Sequence, residues 1–265
     1  MTIAGSDPSG GAGIQADLKT FHQFGVFGEA VITLITVQNT VGVERVETLD
    51  AELVAAQIRA IVSDIPPRAA KTGALGNRGI IEAVADLAAG FNFPLVVDPV
   101  VVSKHGAVLV QLEAVEALKE RLLPRAYLVT PNLEEAELLA GIPVRDIGAM
   151  RTAAQRLLAM GPAAVLVKGG HLAGGATDVL LSERGCVEFP GERIDSRHTH
   201  GTGCTLSAAI TAQLAQGADL AEAVRRAKAY VTEAIRTSPG LGAGSGPLNH
   251  HAAVPPYRAS EDQEE

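Results

Sequence analysis

The chain has 265 residues, 47% of them hydrophobic and 20% charged, with a formal net charge of -8. A chain of this make-up can bury a large α/β core without disulfides or structural metal, and its acidity argues against general nucleic-acid binding while leaving room for a locally basic phosphate site. Cys186 and Cys204 are too far apart for a Cys-x-x-Cys pattern, the amino terminus has no signal-peptide pattern, and no apolar run approaches the roughly 20 residues of a membrane span; the expected location is the cytoplasm.

A first strand is predicted at 2–4. It runs into Gly5-Ser6-Asp7-Pro8-Ser9-Gly10-Gly11-Ala12-Gly13 and then into a helix that carries Asp17. A glycine-rich loop between strand and helix is a common ligand position in α/β proteins. This one is neither a Walker A loop nor a Gly-x-Gly-x-x-Gly fingerprint, so a structural turn and a ligand loop stay equally open. Strands at 30–37 and 43–48 flank Gln38-Asn39-Thr40-Val41-Gly42. They are expected to pair antiparallel, as a small β flap set apart from the main sheet.

Asp50 is the predicted N-cap of a helix with Leu53, Val54, Ile58, Ile61 and Val62 at helical spacing. A strand follows at 69–71, and a helix starts at Asn77 with Ile80, Ile81, Val84 and Leu87 inward. The strand at 95–97 is continuously apolar, as strands covered on both faces are, and it ends in Asp98-Pro99. Those at 127–129 and 165–167 end in Thr130-Pro131-Asn132-Leu133-Glu134-Glu135 and Lys168-Gly169-Gly170-His171. In an open parallel sheet such strand ends line the ligand crevice. There a lysine can neutralise phosphate and a carboxylate can hold magnesium. Taken singly, each piece reads more readily as structural; together they set acid, base and phosphate partners on one edge.

Two more strands are predicted at 179–181 and 187–189, with Cys186 read as a small core residue. The strongest signal is His200-Gly201-Thr202-Gly203-Cys204-Thr205-Leu206-Ser207-Ala208-Ala209. Glycines leading into a helix make an anion site from free N–H groups and the helix dipole. Cys204 would stand in the first turn, its thiol acidity increased by the helix start. A plain turn before a helix with a buried cysteine is the alternative. Asp219 and Glu222 form a capping-box pattern for the last helix. Gly240-Leu241-Gly242-Ala243-Gly244-Ser245-Gly246 precedes Pro247 rather than a helix and is expected to be a flexible loop. His198, His200, His250 and His251 lack the spacing of a zinc site. The acidic tail 255–265 is expected to be disordered. Strand–helix alternation predicts one domain over 1–254 with a mainly parallel sheet covered by helices on both faces.

Five segments together resemble the hydroxymethylpyrimidine/phosphomethylpyrimidine kinases of thiamine biosynthesis. They are the run from Thr2 to Thr20, Val37-Gln38-Asn39-Thr40, Thr130 to Ala136, Val167 to His171, and His200 to Ala209. The resemblance implies a ribokinase-like three-layer α/β/α sandwich, ATP and magnesium, and a homodimer. It also implies two successive phosphorylations, of the hydroxymethylpyrimidine and then of its monophosphate. It places Gly5, Asp17, Gln38 and Val100 at the pyrimidine, and Lys168, Thr199, Thr202 and Asn132 at ATP. Glu135 and Asp98 would organise magnesium, and Cys204, with Gly201 and Gly203, would be catalytic. Many relatives carry a methionine over the ring where this chain has Ala74, and some carry glutamate at Gln38; the sugar kinases of the wider class have aspartate at Cys204. Two other readings stand beside it: a pyridoxal kinase of the same fold, and a non-catalytic binding protein on a kinase scaffold.

Overall fold

Nine short segments, the central ones largely apolar, form the strands of one sheet in the computed structural model, which describes residues 1–101, 112–170, 172 and 175–256. They are β1 (Thr2–Ser6), β2 (Ala30–Gln38), β3 (Val43–Thr48), β4 (Ala70–Thr72), β5 (Leu95–Val97), β6 (Leu128–Val129), β7 (Ala164–Val167), β8 (Asp178–Ser182) and β9 (Gly185–Phe189). The sheet order is β3-β2-β1-β4-β5-β6-β7-β8-β9. The run from β2 to β7 is parallel throughout, and only the pairs β2–β3, β7–β8 and β8–β9 are antiparallel. Helices are α1 (Gly13–Gln23), α2 (Ala51–Asp64), α3 (Arg78–Ala88), α4 (Leu112–Ala117), α5 (Leu133–Ala140), α6 (Ile147–Leu158), α7 (Thr202–Ala215) and α8 (Leu220–Arg236).

Alternation along the central strands divides the core into two layers. Leu95 and Val97 point to the side packed by α2 to α6, and Val96 points to the side packed by α1, α7 and α8. This is the expected three-layer sandwich, and its sequence signal was the unbroken apolar run in central strands such as Leu95-Val96-Val97. No helix among the described residues is long and apolar enough to cross a membrane.

Four local expectations change. The hairpin at the edge is antiparallel, but it is not set apart: β2 pairs in parallel with β1 from Ala30 to Ile35. Beyond Ile35 the ladder with β1 ends, and β2 continues paired with β3 alone. Asp219 caps α8 by accepting from Ala221 N–H, while Glu222 pairs with Arg225 instead of closing a capping box. Cys186 is exposed, because β9 is the sheet's outer edge and mostly faces solvent. The tail begins ordered, with Arg226 donating to Pro255 O at 3.0 and 3.1 Å; the rest of that expectation, 257–265, lies outside the described residues, as does His171.

Two connections bring the β1–α1 loop and the start of α7 together at the carboxyl edge of the sheet. Gly201, the N-cap of α7, has a φ of 83°, and a Cβ there would stand 1.8 Å from Gly11 O. Glycine is required on both counts, conformation and approach. Gly201→Ala should therefore cost about 1–2 kcal/mol from the left-handed backbone, plus the cost of pushing the two loops apart. Urea unfolding measures the loss, and an unchanged midpoint would show that the loops are not in contact.

Candidate active site

The β1–α1 loop is organised by its own aspartate. Asp7 accepts from Ser9 N–H at 2.9 Å, Ser9 Oγ at 2.7 Å and Ala12 N–H at 2.9 Å. These donors are turned inward, so that part of the glycine-rich loop is a scaffold. His200 Nε2 lies 2.8 Å from Asp7 Oδ2 and 3.2 Å from the Gln38 amide nitrogen. Burial alone would raise the Asp7 carboxyl, but hydrogen bonds from His200 and Ser9 outweigh it and hold it below its usual range. The chain thus joins the loop after β1, the end of β2 and the entrance to α7 through one buried histidine. Gly5 sits at a register shift in β1, where a Cβ would meet Leu34 Cδ1 at 2.5 Å.

Under α7 lies a fully buried ion pair. Lys71 Nζ, from the middle of β4, donates to both oxygens of Asp17 at 3.0 and 2.9 Å, and Thr2 Oγ1 donates to Asp17 Oδ2 at 2.7 Å. Burial works against the Lys71 ammonium, but Asp17, Cys204 and Asp98 outweigh it and raise its pKa. Asp17 is therefore enclosed beneath the cleft with its carboxylate in use, and supports the site from below; it does not face the cleft as the resemblance implied.

The phosphate end is built from strand ends. Asp98, after β5, takes Lys168 Nζ at 2.9 Å and Thr130 Oγ1 at 3.1 Å on one oxygen, with Ser207 Oγ at 3.4 Å from the other. Burial again opposes the Lys168 ammonium, and Asp98 and Glu135 raise its pKa. The start of α7 has no side-chain cap. A Cβ on Gly203 would stand 3.2 Å from Lys168 Nζ, so the lysine lies directly against that first turn. Thr202 Oγ1 bonds to Thr199 O at 2.7 Å and closes the turn before the helix. Asn132 and Glu135 form a reciprocal capping box on α5, at 2.8 and 2.9 Å. Burial pushes the Glu135 carboxyl up to about 7, against the pull of Lys168. Val100 lines a narrow pocket with Thr72, Gly73 and Asp98.

Cys204 departs from expectation. Burial pushes its thiol up to about 11, and neither Lys71 nor the Gly13 N–H reverses this. Removal from water, joined by the nearby Asp17 and Asp98 carboxylates, outweighs Lys71 and Gly13, so the thiol form prevails at neutral pH.

Sequence reasoning passed over Lys71, Asp7 and His200. For Lys71 the signal was there: a lysine that interrupts the apolar strand Ala69-Ala70-Lys71 needs a buried carboxylate. His200 was weighed only as a metal ligand, and its role depends on a partner 193 residues away.

Lys71→Met should destabilise the fold by about 3–5 kcal/mol, because it strands the Asp17 carboxylate. The double variant Lys71→Met with Asp17→Leu should regain much of that loss in urea unfolding; a double variant no better than the single would show that the pair's charge is not the cause. Alkylation of Cys204 by iodoacetamide, followed by mass mapping to separate it from exposed Cys186, should be slow at pH 7 and accelerate with pH towards about 11. A rate already at its plateau at pH 7 would mean a resting thiolate.

Known proteins are similar to this chain over most of its length. The Phosphomethylpyrimidine kinase family matches residues 7–249. The hydroxymethylpyrimidine/phosphomethylpyrimidine kinase of Streptomyces coelicolor is 50% identical over 256 residues, which is 96% of this chain and 94% of that one. Among solved structures, phosphomethylpyrimidine kinase from Clostridium difficile is 46% identical, with a TM-score of 0.79 over 88% of this chain and 97% of its own. An ADP complex of Bacillus subtilis pyridoxal kinase is 40% identical, with a TM-score of 0.88 over 95% of this chain and 96% of its own. From its buried strand ends to the glycine-led start of α7, this chain belongs to the phosphomethylpyrimidine kinase family.

Proposed function

We propose that this chain is a cytoplasmic, ATP-dependent kinase that phosphorylates 4-amino-5-hydroxymethyl-2-methylpyrimidine and then its monophosphate. The observation that carries this reading is the uncapped start of α7 with Lys168 lodged against it. The first product bears its phosphate on the oxygen that has just reacted. That phosphate can rest in the same anion site and become the second phosphoryl acceptor, so one site serves both steps.

Phosphoryl transfer needs positioning and charge neutralisation more than covalent help. In our reading the N–H groups of Gly203 and Cys204 receive the transferring group, and Lys168 neutralises the ATP phosphates, with Asn132, Thr199 and Thr202 around them. Gly5, Gln38 and Val100 surround the pyrimidine, with Asp17 behind. A neutral amide at Gln38 offers both donor and acceptor to an aminopyrimidine, and Ala74 leaves more room over the ring than methionine would. Cys204 sits at the reacting oxygen, where its minor thiolate form, favoured by Lys71, takes the alcohol proton.

Asp98 and Glu135 are two buried carboxylates that sense each other's charge. Magnesium is commonly held by one or two carboxylates, with waters and substrate phosphates completing the shell. The donor set fits that mode; no group of three or more His, Cys, Asp or Glu among the described residues would cage a metal alone. Bound there, magnesium would offset the charge of the ATP phosphates. The expected homodimer has support in Ile35, Val37 and Val41, apolar and exposed on the β2–β3 hairpin.

Superposition on the pyridoxal kinase favours a second reading, in which pyridoxal is also accepted. The presence of Lys168 and Cys204 speaks against a mere binding protein. Mass analysis of products separates these readings: with ATP and hydroxymethylpyrimidine, monophosphate should appear first and pyrophosphate later. An enzyme that halts at the monophosphate at high ATP, or turns over only pyridoxal, would refute the main reading. Cys204→Ala should lose about 10²- to 10⁴-fold in turnover while still binding ATP. Its residual rate should lack any rise towards alkaline pH, and near-native turnover would remove Cys204 from the mechanism.

A further inference from the structure

The glycine-rich stretch Gly240 to Gly246 has the composition of a free loop, yet it is docked. Ser245 N–H donates to Thr40 O at 2.8 Å, and Gly244 N–H donates to Thr40 Oγ1 at 3.3 Å. On its other side Gly246 O accepts from His200 N–H at 3.1 Å, and Ser245 Oγ donates to Arg197 O at 3.0 Å. The stretch is a strap between the tip of the β2–β3 hairpin and the segment that enters α7.

Alternate glycines make this possible. A Cβ on Gly242 would stand 2.3 Å from Thr40 Oγ1, one on Gly244 would stand 2.0 Å from Thr40 O, and one on Gly246 would stand 2.3 Å from His198 Nδ1. The spacing therefore records two surfaces gripped in turn.

What is gripped matters because of where Thr40 sits. The parallel ladder of β2 with β1 ends at Ile35, so the hairpin beyond it needs other support. Its turn is closed locally by Asn39, which accepts from Val41 N–H at 2.8 Å and Gly42 N–H at 3.2 Å. Gln38 precedes that turn, with its amide against His200. The strap and His200 hold the same tip from two directions, and the strap holds His200 as well.

We propose that the strap 240–246 is a latch on the hairpin tip that fixes where Gln38 stands over the phosphoryl acceptor, which makes Gly244 and Thr40 positioning residues for that substrate. The proposal rests on the reading that Gln38 contacts the pyrimidine. It assigns the strap no part in binding ATP.

Steady-state kinetics of the full chain with hydroxymethylpyrimidine and ATP test it. Gly244→Ala inserts a methyl where Thr40 O stands. It should raise the KM for the pyrimidine about tenfold, the scale of a displaced polar contact, with kcat and the KM for ATP within about twofold. Thr40→Ala removes one strap bond without added bulk, and should shift the same constant by about threefold even if Gly244→Ala folds poorly. Hydrogen exchange reads the latch directly: the Ser245 amide should be protected in the native chain and released in Gly244→Ala. In a Gln38→Leu background, Gly244→Ala should add nothing to the pyrimidine KM. If Gln38→Leu raises that KM and neither strap variant does, the latch is wrong and the reading of Gln38 stands. Strap variants that raise both KM values alike also overturn the latch. A Gln38→Leu enzyme with unchanged pyrimidine KM overturns the reading itself, and the latch with it.

Discussion

A lysine with no access to water underlies this site. Lys71 stays charged because Asp17 lies against it at 2.9–3.0 Å and Thr2 completes the carboxylate's shell. Such a pair adds little net stability over an apolar core, since removal of both ions from water is costly, but neither partner can be lost alone. What it provides is a fixed, fully buried dipole beneath α7. It joins β1, α1 and β4, so the three elements keep their register for the sake of one charge.

The same device recurs at the other end of the cleft, with Lys168 and Asp98, but there the lysine retains some exposure. The two cations differ in consequence. Lys71 is committed to Asp17 and has no exposure, whereas Lys168, paired with Asp98, reaches the cleft surface. Cys204 lies near both, and its raised thiol reflects burial that outweighs the Lys71 ammonium.

The strands could be read from the sequence because burial on both faces leaves an unmixed apolar signature, as in Leu95-Val96-Val97 and Ala164-Val165-Leu166-Val167. Strand ends such as Asp98, Thr130 and Lys168 were legible for the same reason: polar residues that follow such a run have nowhere to go but the sheet edge. The rest required contacts between distant segments. That Asp17 turns down to Lys71, that Asp7 and Gln38 meet on His200, and that the glycines at 242, 244 and 246 lie against Thr40 and His198 follow from packing across the chain. The helix-dipole rule correctly identified Cys204's setting but gave the wrong protonation, because local sequence does not report desolvation.

Past Ile35 the ladder with β1 has ended, and β2 is carried by β3, the strap, His200 and one side-chain bond from Thr36 Oγ1 to Ser6 O. The stretch that carries Gln38 thus lies at one edge of the sheet, beyond the end of its parallel ladder. Substitutions in this overhang disturb few buried contacts, so they can accumulate at small cost to folding. If Gln38 reads the ring as proposed, a lineage could retune which heteroaromatic alcohol is accepted by altering residues 36–42 while Lys71, Lys168 and the start of α7 stay as they are.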